Sequence, residues 1–94
     1  MKSLKKIEFD AECYLEGSWG SRSLGRRNCS LEIFSFDKKD YIQIEFCAGE
    51  DVEHIGIWYN ENTREILDYD GVFSVPQEAV DMLKGMGFCT EAIE

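Results

Sequence analysis

Three carboxylates stand at alternate positions near the start of the chain, at Glu8, Asp10 and Glu12. In a β-strand, side chains two residues apart share a face and lie about 6.6–6.8 Å apart. Like charges this close destabilise a sheet unless they serve solubility or meet a positive partner. We therefore predict that this row, extended by Glu45 on another strand, binds a basic protein surface such as a groove built for nucleic-acid phosphates. The alternative is a solvated face that only keeps the protein in solution.

A second candidate site is the segment 17–28, which contains three glycines, three serines and three arginines. We predict a long loop here, and long loops in small domains are often functional. Arg22, Arg26 and Arg27 would offer planar donors to phosphates or carboxylates, and Trp19 would offer an anchor. Direct binding to nucleic acid is not expected, because the net charge of −9 would repel a duplex. The alternative is a flexible hairpin loop whose arginines fold back on the chain's own acidic sheet.

The cysteines and the single histidine give weak support for catalysis or metal binding. The four cysteines are widely spaced and form no Cys-x-x-Cys pair, so we expect buried free thiols and neither a metal site nor a disulfide framework. Cys47 and His54 could meet on neighbouring strands as a thiol–imidazole pair, with Cys13 as a further candidate. The sequence has none of the usual hydrolase, zinc-protease, P-loop or dinucleotide motifs. We predict a protein that is not an enzyme and that holds no metal or cofactor.

The charge is divided unevenly along the chain. Residues 40–94 hold 13 of the 19 acidic side chains but only two basic ones, Arg64 and Lys84, and so have a net charge of −11. Such a field governs which partners are attracted, and it does not specify a fold. The 94 residues, 44% of them hydrophobic, suit a single domain with a modest core. The chain has no apolar run long enough for a membrane span, and we expect a cytoplasmic protein without membrane contact.

The elements that would position these residues follow from alternation of apolar and polar side chains. The pattern is clearest over residues 7–16, where apolar odd positions alternate mostly with acidic even positions. It predicts further strands over 29–36, 41–48, 52–59 and 64–70. Short polar connections favour an antiparallel meander for the second to fifth strands, and the place of the first strand stays open.

One helix is predicted after the strands. Ser74 and Gln77 have the spacing of a capping box, and Pro76 suits the first turn. An apolar stripe follows, and Gly85 and Gly87 are expected to end the helix. The fold class is therefore α+β: an antiparallel sheet of about five strands with one C-terminal helix packed on one face.

In its size, acidity and lack of catalytic motifs, the chain resembles in general character the phage and mobile-element inhibitors of nuclease defences, such as anti-CRISPR and anti-restriction proteins. This resemblance rests on composition and size, and it assigns no residue. It favours a non-enzymatic inhibitor or adaptor that binds a nuclease or another nucleic-acid-binding protein. Two alternatives stay open: a self-associating or small-ligand-binding domain using Tyr14, Tyr41 and Trp58, and the thiol enzyme or metal protein described above.

Overall fold

The computed structural model of the protein describes residues 2–17, 20–36, 39–48, 50–70 and 72–94. Five antiparallel strands form one sheet in the order β1-β2-β3-β4-β5, which is a simple meander. The predicted α+β class is confirmed, and the first strand lies at an edge of the sheet. The elements are β1 Lys2–Gly17, β2 Gly20–Phe36, β3 Lys39–Ala48, β4 Asp51–Tyr59, β5 Ile66–Tyr69, α1 Gln77–Gly85 and a 3₁₀ turn Glu91–Ile93.

The hairpin of β1 and β2 is much longer than predicted. The prediction of a loop over residues 17–28 is wrong, because β2 begins at Gly20 and pairs with β1 from Gly17↔Gly20 onward. The glycines and serines of this segment have little intrinsic preference for strands. Their pairing with β1 stabilises the strand, since cross-strand partners contribute more to the stability of a strand than its own composition does.

One face of the sheet and the helix enclose the hydrophobic core. Helix α1 buries Ala79, Val80 and Leu83 in the same cluster as the inward side chains of the strands. Phe46 of β3 packs edge-on against Phe73, with ring centroids 5.2 Å apart. The fully buried strand side chains include Ala11, Cys13, Cys29, Leu31, Ile42, Ile44, Phe46, Ile55 and Ile57.

The predicted capping box is wrong. The N-cap of α1 is Pro76, and no side chain in the described part of the chain caps the helix. The Ser74 hydroxyl instead donates to the carboxylate of Glu16 at the end of β1. The Ser74 hydroxyl, which the local pattern assigned to the helix N-terminus, therefore forms a tertiary hydrogen bond to β1. Gln77 donates to Asp81 one turn further along the helix, 2.9 Å away.

Both edges of the sheet receive short additional pairings. Leu15 of β1 bridges to Phe73, and Glu65, just before β5, bridges to Cys89. These contacts hold the segments before and after α1 against opposite edges of the sheet, so the helix is fixed across its face. Among the described residues, no helix is long and apolar enough to cross a membrane.

Candidate functional site

The face of the sheet that points away from α1 is here called the open face. It is formed by the polar positions of β1 to β4. These positions share one face because residues paired across antiparallel strands have side chains on the same side of the sheet. Apart from Gly56, which is buried, its residues are exposed or half-buried, in contrast to the buried inward positions of the same strands. Its central residues are Glu8, Asp10, Glu12, Arg26, Asn28, Ser30, Tyr41, Gln43, Glu45, His54, Gly56 and Trp58.

The structure places the three predicted carboxylates of β1 in one row on this face. Glu8, Asp10 and Glu12 are all exposed, whereas Ala11 between them is fully buried. The period-2 alternation of β1 therefore divides acidic from apolar side chains. The row lies on β1, an edge strand of the sheet.

Neutral donors on β2 contact two carboxylates of the row. Asn28 Nδ2 donates to Asp10 Oδ1 at 3.2 Å, and Ser23 Oγ donates to Glu12 Oε1 at 2.7 Å. These hydrogen bonds orient the carboxylates without cancelling their charge. The ion pairs found among the described residues are His54–Glu45 and Lys84–Glu94, and neither involves an arginine.

Glu45 lies on the same face as the row, two strands away. Its position follows from the register Glu8↔Ser30, Ser30↔Glu45 and Glu45↔His54. Glu45 Oε2 lies 3.4 Å from His54 Nε2. Glu45 therefore has a neighbour on β4 that is itself exposed on the open face.

The three arginines do not form one cluster. Arg26 lies on the open face opposite Glu12 and donates to the Asp10 backbone carbonyl at 3.4 Å. Arg22 and Arg27 pair with Leu15 and Ala11, so they lie on the opposite side of the sheet. Arg27 Nε donates to the carbonyl of Leu24 at 2.9 Å, which fixes its side chain within β2. The predicted anchor Trp19 lies outside the described residues.

The four cysteines are free thiols, and the expectation that they are buried is correct for Cys13 and Cys29 but wrong for Cys47 and Cys89, which are exposed. Cys13 and Cys29 are buried with their Sγ atoms 3.7 Å apart, and burial raises the pKa of the Cys29 thiol to about 12. A thiol with such a pKa stays protonated at neutral pH and is a poor nucleophile. Cys47 is exposed and pairs with Val52, whereas His54 pairs with Glu45. The described residues contain no group of three or more histidine, cysteine or acidic side chains arranged to hold a metal ion.

A row of aromatic side chains crosses the open face at the end away from Glu12. Phe34, Tyr41 and Trp58 are paired in register across β2, β3 and β4. The centroid of the Tyr41 ring lies 6.2 Å from that of Phe34 and 5.6 Å from that of Trp58. The sequence indicated outward positions for Tyr41 and Trp58 but not this contact. The available signal was that all three aromatic residues occupy the polar positions of alternating strands.

Comparisons of the chain with protein-family models, with curated proteins and with solved structures find no match.

Proposed function

We propose that the protein binds a basic surface of another protein through the open face and thereby inhibits a nucleic-acid-binding protein such as a nuclease. The observation that carries this proposal is the row Glu8, Asp10 and Glu12. These carboxylates are exposed on one face and oriented by neutral donors, and the chain's own guanidinium groups form no described ion pair with them. Their charge is therefore available to lysine and arginine residues of a partner.

The charge also argues against the two other classes of macromolecular partner. A second copy of this chain placed face to face would set carboxylates against carboxylates, and a nucleic acid would meet a molecule of net charge −9. A basic protein groove meets neither obstacle, because carboxylates can occupy the positions that phosphates would take. The protein is proposed to be a non-enzymatic binder that acts in the cytoplasm, which is supported by the absence of a disulfide framework in the sequence.

The test uses a panel of purified nucleases with basic nucleic-acid channels, titrated with the full chain by calorimetry at 50 and 500 mM salt. The higher salt concentration shortens the Debye length and so screens exposed charges more strongly. We expect binding to at least one nuclease, a loss of affinity of about tenfold or more at the higher salt concentration, and competition with duplex DNA. The triple variant Glu8→Lys, Asp10→Lys and Glu12→Lys should abolish this binding.

A matched variant controls for the change in net charge. Glu61, Glu78 and Glu91 are exposed and lie outside the open face. Changing these three residues to lysine alters the net charge by the same amount as the triple variant of β1, but it should leave most of the affinity intact. If both triple variants bind equally well, or if affinity does not depend on salt, the proposed function is wrong.

A further inference from the structure

The aromatic end of the open face has a geometry suited to a planar cation. We propose that the rings of Tyr41 and Trp58 form a platform that receives an arginine side chain of the basic partner, in preference to lysine. This inference rests on the proposed function, and it adds a specificity that the carboxylates alone do not provide. The two ring centroids lie 5.6 Å apart with the planes inclined by 54°, and Trp58 is 39% exposed.

Gly56 makes this arrangement of rings possible. It lies on β4 two residues before Trp58. Its partner on β3 is Gln43, which lies two residues after Tyr41. A Cβ atom at position 56 would lie 3.1 Å from Tyr41 Oη and Cε2 and 3.3 Å from Trp58 Cη2. These distances are shorter than ordinary contacts, so the missing side chain lets both rings lie down over the strand. The rings can therefore pack over Gly56 in the absence of a ligand.

Carboxylates flank the two rings. Asp68 of β5 pairs with Trp58, and the backbone amide of Asp70 donates to the Gly56 carbonyl at 2.8 Å. Burial and the charge of Asp70 both raise the pKa of Tyr41, as expected if that carboxylate lies near the phenol. An aromatic surface beside carboxylates is the environment that suits a cation placed over a ring.

The chemistry of this environment distinguishes arginine from lysine. A guanidinium is planar, stacks on an aromatic ring and can donate two parallel hydrogen bonds to a carboxylate. An ammonium is a compact, strongly hydrated point charge that gains less from stacking. Tyr41 of the platform shares a face with Glu45, because the two residues are an even number of positions apart on β3. They lie about 13 Å apart along the strand. One basic segment can therefore contact the platform and the carboxylates together.

The experiment compares nona-arginine with nona-lysine as probes of the full chain carrying Trp19→Phe, in which Trp58 is the single tryptophan. Calorimetry at one fixed salt concentration should show that nona-arginine binds about three- to tenfold more tightly. Only nona-arginine should change the Trp58 fluorescence strongly, because its guanidinium groups stack on the indole.

Three variants locate the preference. Trp58→Leu keeps apolar bulk over Gly56 but removes the aromatic face, and it should abolish the preference while leaving the affinity for nona-lysine nearly unchanged. Trp58→Phe should restore part of the preference. Tyr14→Leu is the matched control. Tyr14 is also aromatic and is 36% exposed, but it lies on β1 beside Glu12, away from the platform. This variant should keep the full preference.

The outcomes separate the platform from the function on which it rests. If both peptides bind the parent protein equally, or if Trp58→Leu keeps the preference, the platform is wrong and binding through carboxylates still stands. If Trp58→Leu weakens both peptides to the same extent, the rings serve only to cover Gly56, which also overturns the platform. If neither peptide binds, both the platform and the proposed function are wrong.

Discussion

Glu16, at the end of β1, shows how a single carboxylate connects distant parts of this chain. It accepts hydrogen bonds from Ser74, just before α1, and from Ser21 of β2. These hydrogen bonds, with that of Ser74 the larger influence, lower the pKa of Glu16 below its ordinary value. Because the ionised carboxylate is favoured in the folded protein, Glu16 stabilises the fold above its ordinary pKa of 4.5. That contribution is lost as the pH falls through the lower pKa of the folded state.

We predict that Glu16→Gln lowers the thermal unfolding midpoint at pH 7 and that the difference from the parent protein shrinks as the pH falls below about 4.5. Thermal denaturation followed by circular dichroism between pH 7 and pH 3 measures this effect. Glu61→Gln is the control, because it makes the same change of charge in an exposed turn. Parallel pH profiles for Glu16→Gln and the parent protein would contradict the assigned role of Glu16.

At the scale of elements, the long hairpin of β1 and β2 depends on a bulge. The register shifts between Cys13 and Tyr14, so that Leu24 is an extra residue in β2 beside Gly25. Gly25 has a φ of +82°, a conformation that glycine adopts without strain and other residues avoid. A bulge adds local twist to a hairpin, and this one lies close to Leu15, which bridges to Phe73.

We predict that Gly25→Ala lowers the free energy of unfolding by about 1–2 kcal/mol, because a β-carbon is strained at this φ. Gly85→Ala is the matched control: its Cβ would lie in open space at the end of α1, where alanine is favoured over glycine by up to about 1 kcal/mol. Urea denaturation measures both free energies. The bulge assignment is wrong if the two substitutions have the same effect.

At the scale of the whole molecule, the two faces of the sheet differ in burial and in the kind of side chain they carry. The inner face and the helix supply stability, because they enclose the one cluster of buried apolar side chains described here. The open face carries the carboxylates and the aromatic row, whose side chains contact solvent. Under the proposed function, changes on the open face should therefore alter binding with little effect on folding, whereas changes in α1 should do the opposite.

We predict that Leu83→Ala destabilises the protein by about 2–5 kcal/mol, because Leu83 is fully buried between α1 and the sheet. Met82→Ala in the same helix is the control and should cost much less, since Met82 is half-buried and does not belong to the core cluster. The measurement is again urea denaturation. Affinity for nona-arginine, measured where both variants are folded, should stay unchanged.

The sequence by itself determined those features that depend on local periodicity. Alternation is a property of consecutive residues, so it predicted the strands and showed that Glu8, Asp10 and Glu12 share a face opposite to Ala11. The apolar spacing after Pro76 likewise predicted α1, which the structure places at Gln77–Gly85. These patterns were sufficient for the α+β class because each strand with one dry face requires a common core.

Only the tertiary structure decided the features that depend on partners distant in the chain. Residues 20–28 become part of a strand because β1 pairs with them, and this pairing sends Arg26 to one face and Arg27 to the other. Ser74 donates to Glu16, a residue 58 positions away, instead of capping the helix. The aromatic platform likewise arises where Gly56 lies beside Tyr41 of the neighbouring strand. The physical reason is the same in each case: weak local preferences yield to pairings that form only when the whole sheet is assembled.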